Sequence, residues 1–151
     1  SELEKLLSFF RHHGFAIKVD TNGTRPEQVD KLGAWADCVA MDVKASPDLY
    51  PALTGWSDID AIGRSIDLIK RMGDRGIFRT TVLDPEHTDE AMRHIGEWIA
   101  GAAHYRLQPF ISRPDLPDPT YRTRPRTSMH RLEAVREIVR PFVREVVIEG
   151  G

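Results

Sequence analysis

Two short runs, Lys18-Val19-Asp20-Thr21-Asn22-Gly23 and Val39-Ala40-Met41-Asp42-Val43-Lys44, share one build: a strand-like alternation of apolar and polar residues that ends on a carboxylate. They lie roughly 20 residues apart, about the repeat of one strand–loop–helix unit. Pro26 between them suits a first helical turn, and Val29, Leu32 and Trp35 continue at helical spacing. A chain that repeats this unit is restricted to α/β folds with parallel strands joined by right-handed crossovers.

The rest of the chain keeps the alternation. Leu3, Leu6, Leu7 and Phe10 form an opening helical stripe stopped at Gly14, and no strand stands before it, so N-terminal βα units are expected upstream of Ser1. Strands are expected at 15–20, 37–43, 76–83, 104–110 and 142–148. Helices are expected through Val29, over 60–72, from Thr88 or Asp89 through Ile99, and from Ser128 through Val139. Residues 45–58 read as a loop, and 112–127, with four prolines and no periodicity, as a longer Pro/Arg-rich loop that is solvated and mobile.

The 151 residues are 40% hydrophobic and 29% charged, enough for a single globular domain over 1–151. No apolar run reaches the roughly 18 residues of a membrane span, and the opening residues lack signal-peptide order, so a cytoplasmic protein without a membrane partner is expected. A net charge of -2 gives no field that favours nucleic acid. The lone Cys38 excludes an internal disulfide and lies in an apolar run, which reads as a buried structural thiol.

Alternate strand residues face opposite ways, so each run can be split into two faces. Val19, Val39, Met41, Phe78, Val82, Tyr105 and Leu107 fall on apolar faces. Asp20, Asp42, Lys44, Arg79, Thr81 and Gln108 fall on the other, polar near the strand ends. That is the pattern of a barrel or half-barrel with a ligand at the C-terminal ends of its strands. A flat sheet covered on both sides would be apolar on both faces. Two carboxylates and two cations converging there suit a zwitterion such as an amino acid; a structural ion-pair network at the rim is the alternative.

At these residues the chain resembles the later part of a radical SAM enzyme of the glycyl-radical activating kind, most of all the activating protein of anaerobic ribonucleoside-triphosphate reductase. The matching stretches are Ile17 to Pro26, Val39 to Ala45, Leu53-Thr54-Gly55, Phe78 to Val82 and Tyr105 to Phe110. The resemblance implies a partial (β/α) barrel that holds a [4Fe-4S] cluster and S-adenosylmethionine. It also implies a glycyl-radical enzyme as partner. Asp20, Asp42 and Lys44 match positions that hold the methionine end of S-adenosylmethionine, directly or through a bound cation; Arg79 matches a further polar contact. Thr21, Asn22, Thr81 and Gln108 complete the expected cofactor-binding set, and no catalytic residue or metal ligand is expected. The CxxxCxxC motif and the Gly-Gly-Glu-Pro run of the family are absent, and Ile111 stands where relatives can carry a His. On this reading the chain lacks the cluster half of the cofactor grip and by itself does no radical chemistry. Two alternatives stay open: a remnant that binds S-adenosylmethionine or its partner without catalysis, and an unrelated barrel lyase or isomerase with Lys44 as base or Schiff-base amine.

Three other features are weighed against these. The run Arg122-Thr123-Arg124-Pro125-Arg126 with His130 and Arg131 reads as a solvated basic loop ahead of a phosphate or acidic-partner site. Asp84, Glu86 and His87 are metal-ligand types, but they stand at a Pro-broken strand end before a helix cap, where structural use is the stronger reading. His12, His13 and His94 read as surface residues.

Overall fold

The computed structural model of the chain describes residues 1–150. Five parallel strands, β1 (Lys18–Thr21), β2 (Cys38–Asp42), β3 (Gly76–Val82), β4 (His104–Pro109) and β5 (Glu145–Ile148), lie side by side in sequence order. The helices are α1 (Glu2–His12), α2 (Pro26–Gly33), α3 (Tyr50–Thr54), α4 (Ile59–Arg71), α5 (Asp89–Trp98) and α6 (Met129–Val139). Sequential strand order with crossovers of one hand puts every crossover helix on the same face of the sheet. The result is the α/β partial barrel that strand parity implied.

Local chemistry sets the helix starts. Ser1 and Glu4 form a capping box on α1, while Asp58, Thr88 and Ser128 accept the amides of Ala61, Ala91 and Arg131 to begin α4, α5 and α6. The inward faces of α4, α5 and α6 bury Ile62, Ile66, Ile69, Met92, Ile95, Leu132, Val135 and Val139 against Met41, Phe78, Val82, Tyr105 and Leu107. Each such side chain contributes on the order of 1.5–3 kcal/mol by leaving water. The opposite face of the sheet contributes no comparable apolar layer: Lys18, Asp20 and Thr81 are exposed, and Asp42, Arg79, Arg106 and Gln108 are half-buried.

Several boundaries differ from the sequence expectation. β1 begins at Lys18, because the Asp37 carboxylate takes the Ile17 amide at 2.7 Å in place of a strand partner. β5 begins at Glu145, because Arg140–Phe142 forms a 3₁₀ turn that brings the Phe142 ring onto Gly96, where a Cβ would overlap it. The expected loop 45–58 contains α3, with Tyr50 buried and its ring edge-on to Trp98 at 5.9 Å. Cys38 opens β2 half-buried rather than buried, by parity on the face of Ala40 and Asp42. Among the described residues, no helix is long and apolar enough to cross a membrane.

Candidate functional site

The turn after β1 fixes the first carboxylate. Gly23 has φ +74°, a Cβ there would overlap the Met41 thioether, and its carbonyl accepts the buried Ser65 hydroxyl at 2.7 Å. The Asn22 side chain accepts the Thr24 amide and hydroxyl, and the Thr21 hydroxyl accepts the Gly23 amide. Asp20 is therefore held at the rim, while Thr21, on the opposite parity, serves the turn and is not brought to the polar face.

On that face Arg79 is the centre. Its Nε and Nη2 each lie 3.0 Å from Asp42 Oδ1, and its Nη1 lies 3.4 Å from Asp20 Oδ1. Its side chain is only 17% exposed, while those of Asp42 and Asp20 are 39% and 57% exposed, so the guanidinium is shielded from water and its partners only in part. Lys18 Nζ stands 3.5 Å from Asp20, and Lys44 Nζ 3.9 Å from Asp42 Oδ2. The last distance is beyond a hydrogen bond. Lys18 corrects the expected balance: three cations now share two carboxylates, and Lys44 makes only that one loose contact. Parity had put Lys18 on this face, but its place at the strand start concealed its reach to Asp20.

Lys18 and Asp20 stand at a separate apolar cleft formed with α1, outside the lining of a cavity of about 370 Å³ that opens beside Asp42, Lys44 and Arg79. Asp42, Lys44, Arg79 and Thr81 form its charged side, Asn22 and Thr24 its flank, and Tyr50, Leu53, Thr54 and Trp56 an opposing wall supplied by α3 and the turn after it. A few placed charges beside an apolar wall is the usual make-up of a small-molecule site. The Tyr50 hydroxyl lies 3.5 Å from the Lys44 amide, and burial raises its pKa. Sequence reasoning missed Tyr50 and Trp56, since a five-residue helix shows no periodicity.

The backbone under the cavity is tied by buried side chains. Tyr105 Oη donates to Thr80 Oγ1, which donates to the Val43 carbonyl, both at 2.7 Å. Thr127 Oγ1 donates to the Val82 carbonyl at 2.6 Å and accepts the Phe110 amide. His87, completely buried, accepts the Leu83 amide on Nδ1 at 2.7 Å, which leaves Nε2–H to donate to the Lys44 carbonyl at 2.9 Å. Acceptance at Nδ1 calls for a neutral ring, and burial lowers the His87 pKa in the same direction.

Gln108 is placed elsewhere. Its amide and the Arg106 guanidinium donate to Glu149 at 2.9 and 2.8 Å, beside a second cavity of about 500 Å³ that includes Phe110, Ile111 and Leu116. Thr81 lines both cavities and joins them along the rim. Asp84, Glu86 and His87 do not converge as ligands: Glu86 pairs with Arg124, and both His87 nitrogens face backbone. No group of three or more His, Cys, Asp or Glu among the described residues is arranged to hold a metal ion. The basic loop is mostly exposed, as a solvated loop would be, and several of its cations have partners. Arg122 donates to the Leu116 carbonyl, Arg124 also lies 4.1 Å over the Tyr121 ring, Arg126 donates to the Gly150 carbonyl, and Arg131 donates to the His87 carbonyl.

No protein-family model matches the chain. Its sequence is 27% identical to a Methanocaldococcus jannaschii protein named "putative glycyl-radical enzyme activating enzyme", over 95% of this chain and 62% of that protein. The chain thus spans about three-fifths of the length of the curated relative it matches. In structure it is similar to a crystallised domain of pyruvate-formate lyase-activating enzyme from Bacteroides vulgatus, with TM-score 0.70 and 14% identity, over 97% of this chain and 88% of that one. That likeness establishes the fold.

Proposed function

We propose that the rim cavity holds the amino acid end of S-adenosylmethionine, and that the chain is one domain, the later part of a cytoplasmic radical SAM activase. The complete protein would cleave S-adenosylmethionine reductively and raise a glycyl radical on a partner such as anaerobic ribonucleotide reductase. The observation that carries this reading is the excess of cation at the rim. Lys44, loosely placed 3.9 Å from Asp42 and lining the cavity, leaves its ammonium protons for a ligand carboxylate. Asp42 supplies an acceptor for the ligand ammonium, and Arg79 ties it to Asp20, which stands beside the cavity rather than in its lining and would be reached only at the rim. Leu53 and Trp56 exclude water from one side. Thr81 would meet the rest of the ligand, while Thr21 and Asn22 hold the turn that places Asp20, and Gln108, tied to Glu149 beside the adjoining cavity, stays outside the contact set. The match with an activating enzyme along 95% of the chain supports the same class of ligand and partner.

In a complete protein, a reduced [4Fe-4S] cluster beside S-adenosylmethionine would supply the radical chemistry. The residues of this chain do not fit the cluster. Its single cysteine opens β2, at the end of the strand away from Asp42 and the cavity. That position favours the second reading, in which residues 1–151 alone bind S-adenosylmethionine without cleaving it. Calorimetric titration of the chain with S-adenosylmethionine is the test: saturable one-to-one binding that free methionine displaces is expected, and a folded chain that takes up no ligand at millimolar concentration refutes the assignment. After iron–sulfur reconstitution and reduction, the chain alone should release no 5'-deoxyadenosine.

A further inference from the structure

We propose that His87 is a positioning residue for this cavity: it sets the spacing between the two chain segments that leave β2 and β3 and so determines where Lys44 stands. The register between β2 and β3 ends at Asp42 and Arg79, with one further bond from the Val43 amide to the Arg79 carbonyl at 2.8 Å. Past that point the segments separate around the cavity, and Lys44 and Leu83 both line it. His87 bridges that gap. Its ring takes the Leu83 amide on one side and gives its proton to the Lys44 carbonyl on the other, at 2.7 and 2.9 Å with no exposed surface. The ring is held from behind: the His87 amide donates to the Leu83 carbonyl at 2.7 Å, and Arg131 donates to the His87 carbonyl at 2.7 Å.

The arrangement works in one protonation state only. An imidazolium would set an N–H on Nδ1 against the N–H of Leu83. The charged groups around the ring are Glu86 next to it, itself paired with Arg124, and Arg131 at its carbonyl; Lys44 turns its ammonium toward Asp42. A histidine that only filled core volume would need neither nitrogen committed to cavity-lining backbone.

The ligand-affinity arm of the test rests on the proposed S-adenosylmethionine site; the other arms do not. In the ligand-free, ¹⁵N-labelled chain, long-range nitrogen–proton spectra should show His87 protonated on Nε2 and bare on Nδ1. A ring carrying its proton on Nδ1 overturns the proposal outright, whatever the chain binds. H87F, which keeps the volume and removes both bonds, should accelerate Leu83 amide exchange at least tenfold and shift the Lys44 amide and Trp56 indole resonances, while Phe78 and Leu107 stay protected. H87Q, which can accept and donate with one amide, should recover part of this, and it serves alone if H87F does not fold. S-adenosylmethionine affinity should fall about tenfold in H87F and partly return in H87Q. Unmoved Lys44 and Trp56 resonances, or unchanged affinity in a folded H87F, would show a merely structural histidine. If the wild-type chain binds no S-adenosylmethionine, the ligand assignment fails, and the resonance and exchange measurements still decide the role of His87.

Discussion

The rim over β1 to β3 and the rim over β4 and β5 are built from the same residue types and end differently. In the first, Lys18, Lys44 and Arg79 share Asp20 and Asp42, so one cation is left over and Lys44 makes no contact closer than 3.9 Å with a carboxylate. In the second, Glu149 receives Arg106 on one oxygen and Gln108 on the other, and the group is satisfied within itself. Charge content alone therefore does not mark a site. A rim becomes a receptor where its polar groups are placed but not all satisfied, because completing them inside the molecule would remove the reason to bind.

The largest test of that contrast is Asp42→Ala. It strips Arg79 of both of its 3.0 Å contacts and leaves a guanidinium 17% exposed with only Asp20 at 3.4 Å. Loss of a charge-assisted hydrogen bond of this kind costs about 1.5–3 kcal/mol. Urea denaturation should report a drop of that size, and S-adenosylmethionine affinity should fall by roughly a hundredfold, since the ligand ammonium loses its acceptor as well. An Asp42→Ala chain that binds as tightly as wild type would mean that the first rim is as self-contained as the second.

The next effect is on acid stability. Burial holds the His87 pKa below the usual value near 6.5, so the unfolded chain takes up the proton at higher pH than the folded one. The stability tied to the neutral ring is full above about 6.5 and is lost as pH falls from there through the folded value. Denaturation midpoints followed downward from pH 7.5 should show this slope, and it should vanish in H87F. Exposed carboxylates held low by hydrogen bonds and Arg partners, such as Asp37 and Asp74, act only at still lower pH. A smaller effect, about 1 kcal/mol, is expected for Tyr105→Phe, which leaves Thr80 one partner short beneath the first rim.

How far this contrast could be read beforehand depends on which atoms carry it. Strand parity put Asp20, Asp42, Lys44 and Arg79 on one face because the opposite face is nearly all apolar, and a period of two survives small errors in strand ends. Lys18 was visible by the same rule, yet its pairing with Asp20 along one strand is a matter of rotamer. Tyr50 was not legible: it lies in a Pro-flanked five-residue helix whose burial comes from Trp98 and the strand ends rather than from its own pattern. His87 was read as structural rather than as a metal ligand, but its specific role was not legible, because its partners are backbone atoms and those have no signature in a sequence. Residues 112–127 read as a loop from their prolines, and what that reading could not show is that Arg122, Arg124 and Arg126 meet carbonyls and Glu86.

The smallest expected effect bears most directly on the second rim. Glu149→Gln keeps the size of the side chain and removes its charge, so Arg106 and Gln108 retain a neutral acceptor. Partly exposed pairs of this type contribute about 0.2–1 kcal/mol, and a neutral acceptor recovers part of that. The denaturation midpoint should move by no more than about 0.5 kcal/mol, and S-adenosylmethionine affinity by less than about threefold, since Gln108 sits in the adjoining cavity rather than among the groups around Lys44. A loss as large as that of Asp42→Ala would place Glu149 and Gln108 in direct contact with the ligand. The two rims would then act as one continuous site joined at Thr81, and the self-contained network would be a feature of the ligand-free molecule only.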